Sequence, residues 1–323
     1  MSELGFLRAA GSSVLFVFAV VSAQGDTFGT GPNQFTIDFV EIGNAGNADD
    51  GGAGGGLYSS PYGGVAYEYR MGVTEVPQEW VTKATASGLL NVTAGAWSGS
   101  QPAANMMWYE AAAFVNWLNV STGHQAAYNL TYNPPDEFGS TWSMALWSSG
   151  DAWQAGEENL YRHKDAYYFL PSEDEWYKAA FHQNDGVTAN YWDYATGSNA
   201  APLAVAGGTG AGTAVYNGQA GPAAVDNSGG LSAYGTRGQN GNVWEWQESA
   251  YSPPNDSPSE FRGILGGFWG FNESELRSSY RYGFDPELTG SEIGFRVASV
   301  PEPSSALLMA GVGLGLLLRC RRR

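Results

Sequence analysis

Apolar residues recur along the chain with two different periods, and each change of period marks an element. Phe35, Ile37 and Phe39 alternate with polar neighbours, which predicts a strand from Phe35 to Ile42. The Gly/Asn/Asp block from Gly43 to Gly64 reads as a loop, and Val65 to Val73 as a second strand. Pro77 suits the first turn of a helix running through Ala86. From about Tyr109 to Asn119, the residues Ala112, Val115, Trp117 and Leu118 give a helix an apolar face broad enough to be largely buried. Ser172 and Glu175 form a capping box, and the acids Glu173, Asp174 and Glu175 complement the dipole of the helix that follows. Capping accounts for these carboxylates without an acid/base role.

The stretch Gly238-Gln239-Asn240-Gly241-Asn242-Val243-Trp244-Glu245-Trp246 is a turn followed by a short strand. Alternation sends Trp244 and Trp246 to one face, where they anchor the core, and Glu245 to the other. Glu245 is then solvent-exposed, salt-bridged or a metal ligand. Ile264-Leu265-Gly266-Gly267-Phe268-Trp269 and a final strand, Ile293 to Val297, complete the pattern. No internal repeat of regular period is visible. Helices, short separated strands and long loops indicate a single irregular α+β domain.

Both ends of the chain differ from this body. Arg8, the apolar run Val14 to Val21 and the small-residue site Val21-Ser22-Ala23 predict a signal peptide over residues 1–23. At the other end, Pro301-Glu302-Pro303 precedes an apolar run from Ala306 to Leu318 and an arginine cluster. A helix of that length reaches only about 20 Å, short of the roughly 30 Å hydrocarbon core, so a transient sorting helix fits better than a permanent anchor. The arginines hold that end on the cytoplasmic side.

Charge and chemistry narrow the functions. The formal net charge is −17, and between residues 24 and 318 there are 10 basic and 31 acidic residues. Such a body repels nucleic acid and anionic membrane, which leaves contact with a membrane to the C-terminal helix alone. Cys320, the single cysteine, lies in the arginine cluster, so the body has no disulfide, thiolate site or cysteine nucleophile. His124, His163 and His182 lie far apart, against a zinc or iron centre. Asp49 and Asp50 sit in a glycine loop where calcium or plain solvation both fit. Trp142, Trp147 and Trp153 stack on sugar rings or pack inside an elaborated loop.

Two resemblances emerge. Residues 301–323 look like a PEP-CTERM sorting signal. That resemblance implies a Gram-negative-type bacterium whose exosortase cuts near Pro301, Glu302 and Pro303. The protein then passes through a transient inner-membrane intermediate to the outer surface or the exopolysaccharide matrix. Residues from about 35 to 299 resemble the sulfatase-modifying-factor, or formylglycine-generating-enzyme, family. The match is carried by Tyr69-Arg70-Met71-Gly72-Val73-Thr74-Glu75-Val76, Trp108 to Asn119, Phe169 to Ala180, Gly241 to Trp246, Gly266-Gly267-Phe268-Trp269 and Ile293 to Val297. It implies a loop-rich, C-type-lectin-like α+β fold over residues 24–300.

The family's oxidases convert a sulfatase cysteine to formylglycine with a copper-binding cysteine pair between the Gly-Gly-x-Trp turn and the Gly-Phe-Arg strand. Residues 266–298 contain no cysteine, so no copper is expected and the chain departs from enzyme chemistry. The family's calcium site maps onto the carbonyls of Gly241 and Val243 and the carboxylate of Glu245. Its fourth ligand falls on Gly238, which has no side chain, and this weakens the calcium expectation. The leading expectation is a non-catalytic surface protein that binds a polysaccharide or a surface protein. The alternatives are a cysteine-independent modifying enzyme or accessory, and a structural matrix component.

Overall fold

The computed structural model describes residues 24–51, 62–92, 95–134 and 142–300; the expected signal peptide and sorting segment lie outside them. In chain order the elements begin with β1 (Gln24–Phe28), β2 (Phe35–Ile42), β3 (Tyr69–Gly72), α1 (Gln78–Ala86) and α2 (Trp108–Ser121). Then come β4 (Asn129–Tyr132), β5 (Trp142–Ala145), β6 (Ala152–Trp153), β7 (Asn159–His163), β8 (Tyr168–Phe169) and α3 (Glu173–Phe181). The remainder are β9 (Leu203–Ala204), β10 (Thr213–Ala214), β11 (Trp244–Ala250), β12 (Arg262–Leu265), β13 (Tyr282–Phe284), β14 (Ile293–Gly294) and β15 (Ala298–Ser299). Among the described residues, no helix is long and apolar enough to cross a membrane.

Two sheets carry the architecture. The first is five-stranded, ordered β1-β2-β3-β15-β8, with every pairing antiparallel. The second is four-stranded, β13-β12-β11-β14, antiparallel except where β11 meets β14. β2 follows its sequence pattern: Phe35, Ile37 and Phe39 are buried while Thr36 and Asp38 face solvent. Phe35 meets Phe28 at 5.6 Å, Trp80 at 5.5 Å and Trp117 at 6.0 Å, all stacked, so one ring ties β1 to α1 and α2. Burying such a ring is worth about 1.5–3 kcal/mol. α2 packs against this sheet with Ala111, Ala112, Phe114, Val115 and Leu118 buried, as its breadth of apolar positions predicts.

Two sequence expectations change. The strand predicted from Val65 to Val73 shortens to β3. Val65 instead closes a loop, its carbonyl accepting from Gly46 N at 2.8 Å, and Tyr67 sends its hydroxyl to Glu175 Oε1 at 2.7 Å. The final strand predicted from Ile293 to Val297 splits into β14 and β15. β14 belongs to the four-stranded sheet and β15 to the five-stranded one, so residues 295–297 are where the chain crosses between sheets. The crossing is held by Val76 N donating to Phe295 O at 2.9 Å and Gly72 N to Val297 O at 2.8 Å. Alternation cannot reveal a mid-strand change of sheet, because both halves are equally buried.

Candidate functional site: a closed ion cluster and an acidic aromatic cleft

The turn ahead of β11 needs left-handed backbone at Gly238 (φ 82), Gly241 (φ 78) and Asn242 (φ 59). A Cβ at Gly241 would lie 2.2 Å from Val215 O, so glycine is required there for space as well as conformation. The turn delivers Trp244 and Trp246 to the core, as predicted. Glu245, on the opposite face, is not exposed, because α3 covers that face of β11. Its Oε2 accepts from Trp176 Nε1 at 2.6 Å and Arg296 Nε at 2.5 Å, and its Oε1 accepts from Arg296 Nη2 at 2.5 Å. Arg296 also donates to Gly72 O at 3.0 Å and Arg237 O at 2.8 Å, so this one guanidinium, set at the crossing, bridges both sheets. Of the three readings open for Glu245, the geometry selects the salt bridge.

This arrangement bears on calcium. A calcium shell gathers six to eight oxygen lone pairs about one point. Both oxygens of Glu245 are instead engaged by N–H donors, with a guanidinium on the axis where a cation would sit. The Gly241 amide donates to Gly266 O at 2.7 Å, which fixes the turn, and Val243 is fully buried. The space a side chain at Gly238 would need is filled by Glu75: a Cβ there would meet its Oε2 at 2.5 Å. The Glu245 carboxylate is thereby placed as the acid of an ion pair.

Glu75 is fully buried, with Oε1 accepting from Asn242 Nδ2 at 2.9 Å and Oε2 without a hydrogen-bond partner among the described residues. Burial, and next the charge of Glu245, push it up to about 8 against the pull of Arg296. At neutral pH it holds its proton. The cluster is thereby one carboxylate against one guanidinium, balanced in charge.

A second group of acids lies at the N-terminus of α3. Ser172 Oγ accepts from Glu175 N at 3.2 Å and Glu175 Oε2 accepts from Ser172 N at 2.6 Å, the predicted capping box. Capping is only part of the role of Glu175. Arg162 donates to its Oε1 at 2.9 Å and Oε2 at 2.8 Å, and also binds Glu248, with Nη2 at 2.7 Å from Oε2. Burial alone would raise Glu175, but Arg162 and these hydrogen bonds hold it below the usual carboxylate range. For Glu248 burial prevails and its carboxyl is raised. Glu173 forms a bidentate pair with Arg281, with both contacts at 2.6 Å.

Above these pairs opens a cleft of about 420 Å³. Tyr62, Tyr67 and Trp153 supply its aromatic surface, and Asp49, Asp174 and the pair Glu157–Glu158 supply carboxylates. Gly63 N donates to Asp174 Oδ1 at 2.9 Å, yet burial pushes Asp174 up to about 7. Tyr67 and Trp153 meet edge-to-face at 5.4 Å. The volume suits a small-molecule or short-oligomer ligand, and the mixture of ring faces and few polar groups is that of a binding pocket.

The other residues singled out in the sequence disperse. Asp49 Oδ1 accepts from Gly64 N at 2.8 Å, and Asp50 Oδ2 accepts from Tyr177 OH at 2.7 Å. His124 stacks on Tyr167 at 4.5 Å, His163 lies edge-on to Trp147 at 4.7 Å, and His182 Nδ1 meets Tyr234 OH at 2.9 Å. Among the described residues no His, Cys, Asp and Glu side chains cluster as a metal site. Trp142 and Trp147 pack in the loop region, whereas Trp153 turns to the cleft. Pro301, Glu302 and Pro303 lie outside the described residues. Sequence reasoning missed Arg162, Arg281, Glu75 and Glu248. The available signal was arithmetic: in a body with few bases, an arginine beside buried aromatics must have a carboxylate partner.

Comparison with known proteins places this geometry. The sulfatase-modifying factor enzyme 1-like domain matches residues 65–300, and the PEP-CTERM protein-sorting motif matches residues 299–323. β1 and β2 precede the first match but form one side of the five-stranded sheet. Treponema denticola variable protein 1 superposes with a TM-score of 0.56 at 21% identity, covering 86% of this chain and 99% of its own. CarF gives 0.56 at 19%, covering 82% and 99%, and PvdO from Pseudomonas aeruginosa gives 0.55 at 18%, covering 86% and 98%. A search of curated proteins returns no match. These likenesses establish the fold as C-type-lectin-like, of the formylglycine-generating-enzyme type. The sorting motif marks a protein exported to the surface through a membrane-anchored intermediate and processed by an exosortase-type system. With two sheets joined at Arg296 and the domain match running from Val65 to the end of the last strand, the chain belongs to the sulfatase-modifying factor enzyme 1-like family.

Proposed function

We propose that this surface-sorted protein is a non-catalytic binding component of the extracellular matrix, using the cleft above α3 to hold its ligand. The observation that carries the reading is the cleft itself: an open cavity of about 420 Å³ faced by Tyr62, Tyr67 and Trp153, on a rigid floor of bidentate ion pairs. Rigid support beneath aromatic faces lowers the ordering cost of binding. The segment between Gly266 and Val297 supplies no thiol, which argues against the copper chemistry of the family's oxidases.

The test is a glycan and peptide array probed with the exported protein purified from the cell surface. Saturable binding that Trp153→Ala removes, in a variant with unchanged circular dichroism, is the expected result. A protein that binds nothing on the array saturably would be a structural matrix component instead, and the reading would fall.

A further inference from the structure

The cleft is not merely polar; its charges are unbalanced in one direction. Each guanidinium on its wall is already neutralised. Arg281 is clamped by Glu173 with two contacts of 2.6 Å and lies 4.4 Å from the ring centre of Tyr251 and 5.0 Å from that of Tyr62. Arg162 is held beneath the floor by both Glu175 and Glu248. Asp49, Asp174, Glu157 and Glu158 also line the cleft, and among the described residues none of them meets a lysine, arginine or histidine within ion-pair distance. Asp49 and Asp174 each accept a backbone N–H, from Gly64 and Gly63, and Glu158 accepts from Ser149 and Gln154. Those donors are neutral and leave the charge of Asp49 and Glu158 in place, while Asp174, pushed up to about 7 by burial, is ionised in part at neutral pH. Glu157 is exposed at the rim.

Four carboxyl groups without a basic partner around three aromatic side chains select for a cation, whose arrival would also draw Asp174 into its ionised form. An anion would be repelled. A neutral ligand could donate hydrogen bonds to these carboxylates but would leave their charge unbalanced. An ammonium group satisfies several acceptors at once through charge-assisted hydrogen bonds, and aromatic faces add cation–π attraction while covering its carbon skeleton. The excess of acids over the whole body steers the same sign of ligand inward. Resting on the binding reading above, we infer that the cleft takes a ligand bearing protonated primary amines, its ammonium groups among Asp49, Asp174, Glu157 and Glu158 and its skeleton against Tyr67 and Trp153.

Two sources share this chemistry, a free polyamine and a sugar polymer carrying unacetylated amines. Titration calorimetry on the exported protein separates them with three probes: spermidine, a glucosamine tetramer and the fully N-acetylated tetramer. The inference expects saturable binding of spermidine, of the glucosamine tetramer or of both, weakening as salt rises, and none of the N-acetylated tetramer. Binding of spermidine alone identifies a polyamine site, and of the glucosamine tetramer alone an amino-sugar site. Asp174→Asn is expected to weaken binding roughly tenfold, as loss of a charge-assisted contact does. Because Asp174 also sits in the first turn of α3, the double variant Glu157→Gln/Glu158→Gln on the exposed loop gives a second reading, with several-fold weaker binding and an unchanged melting temperature. The inference is overturned if none of the probes binds, if the N-acetylated tetramer binds as well as the amine, or if all these variants bind like the wild type. A neutral ligand lost in Trp153→Ala would remove the amine and keep the binding site, whereas silence on the array removes the site itself.

Discussion

Two acidic regions of this molecule, about Glu245 and about Asp174, use the same residue types to opposite ends. Around Glu245, α3 and both sheets close over the carboxylate and every oxygen of it receives an N–H. Around Asp174 the chain matches the deep acids Glu173, Glu175 and Glu248 with arginines and leaves those nearer the solvent unmatched. The difference teaches that carboxylate content alone says nothing about binding. What matters is whether the fold supplies the counter-charge itself, because a carboxylate already paired with a guanidinium has no net charge left to attract a cation.

The comparison breaks most decisively at Arg296. Arg296→Met removes the guanidinium and leaves Glu245 buried without its counter-ion, an uncompensated charge that costs about 3–5 kcal/mol. Chemical denaturation should show that loss, or no folded protein should be recovered. A variant unfolding at the wild-type midpoint would mean that the cluster does not hold the sheets together.

The next effect is a pH dependence. Glu75 in the folded protein binds its proton up to about 8, against an ordinary value of 4.5, so between these values the folded state holds more protons than the unfolded one. The contribution of Glu75 to stability is therefore complete below about pH 4.5 and is lost as pH rises to about 8. Glu75→Gln keeps the shape and the hydrogen bond to Asn242 without the titration, so its melting temperature should fall less between pH 5 and 9 than that of the wild type. Parallel curves for the two proteins would show that Glu75 does not titrate in that window.

Calcium gives the smallest effect. With the oxygens of Glu245 committed to Arg296 and Trp176, melting curves in calcium and in chelator should coincide. A ligand of the native state at a hundredfold excess over its Kd would stabilise by about 2.7 kcal/mol. A chelator-sensitive melting temperature abolished by Glu245→Gln would place an ion in the closed region and dissolve the contrast with the open one.

Much of this was legible in the linear order of residues. The alternation over Phe35 to Ile42, the apolar breadth of α2 and the Ser172–Glu175 capping box depend on neighbours within a few positions, so local physics specified them. Export was legible for a different reason, since a sorting segment is read as a linear signal. Only the tertiary structure decided what each acid does. Glu245 lies 51 residues from its arginine, Glu173 lies 108 from Arg281 and Glu248 lies 86 from Arg162. The crossing of residues 295–297 between two sheets brings Arg296 to Glu245, and no period along the chain encodes it. Charge pairing acts through space over a few ångströms and has no signature in sequence spacing, so the division between closed cluster and open cleft could be settled only once the chain had folded.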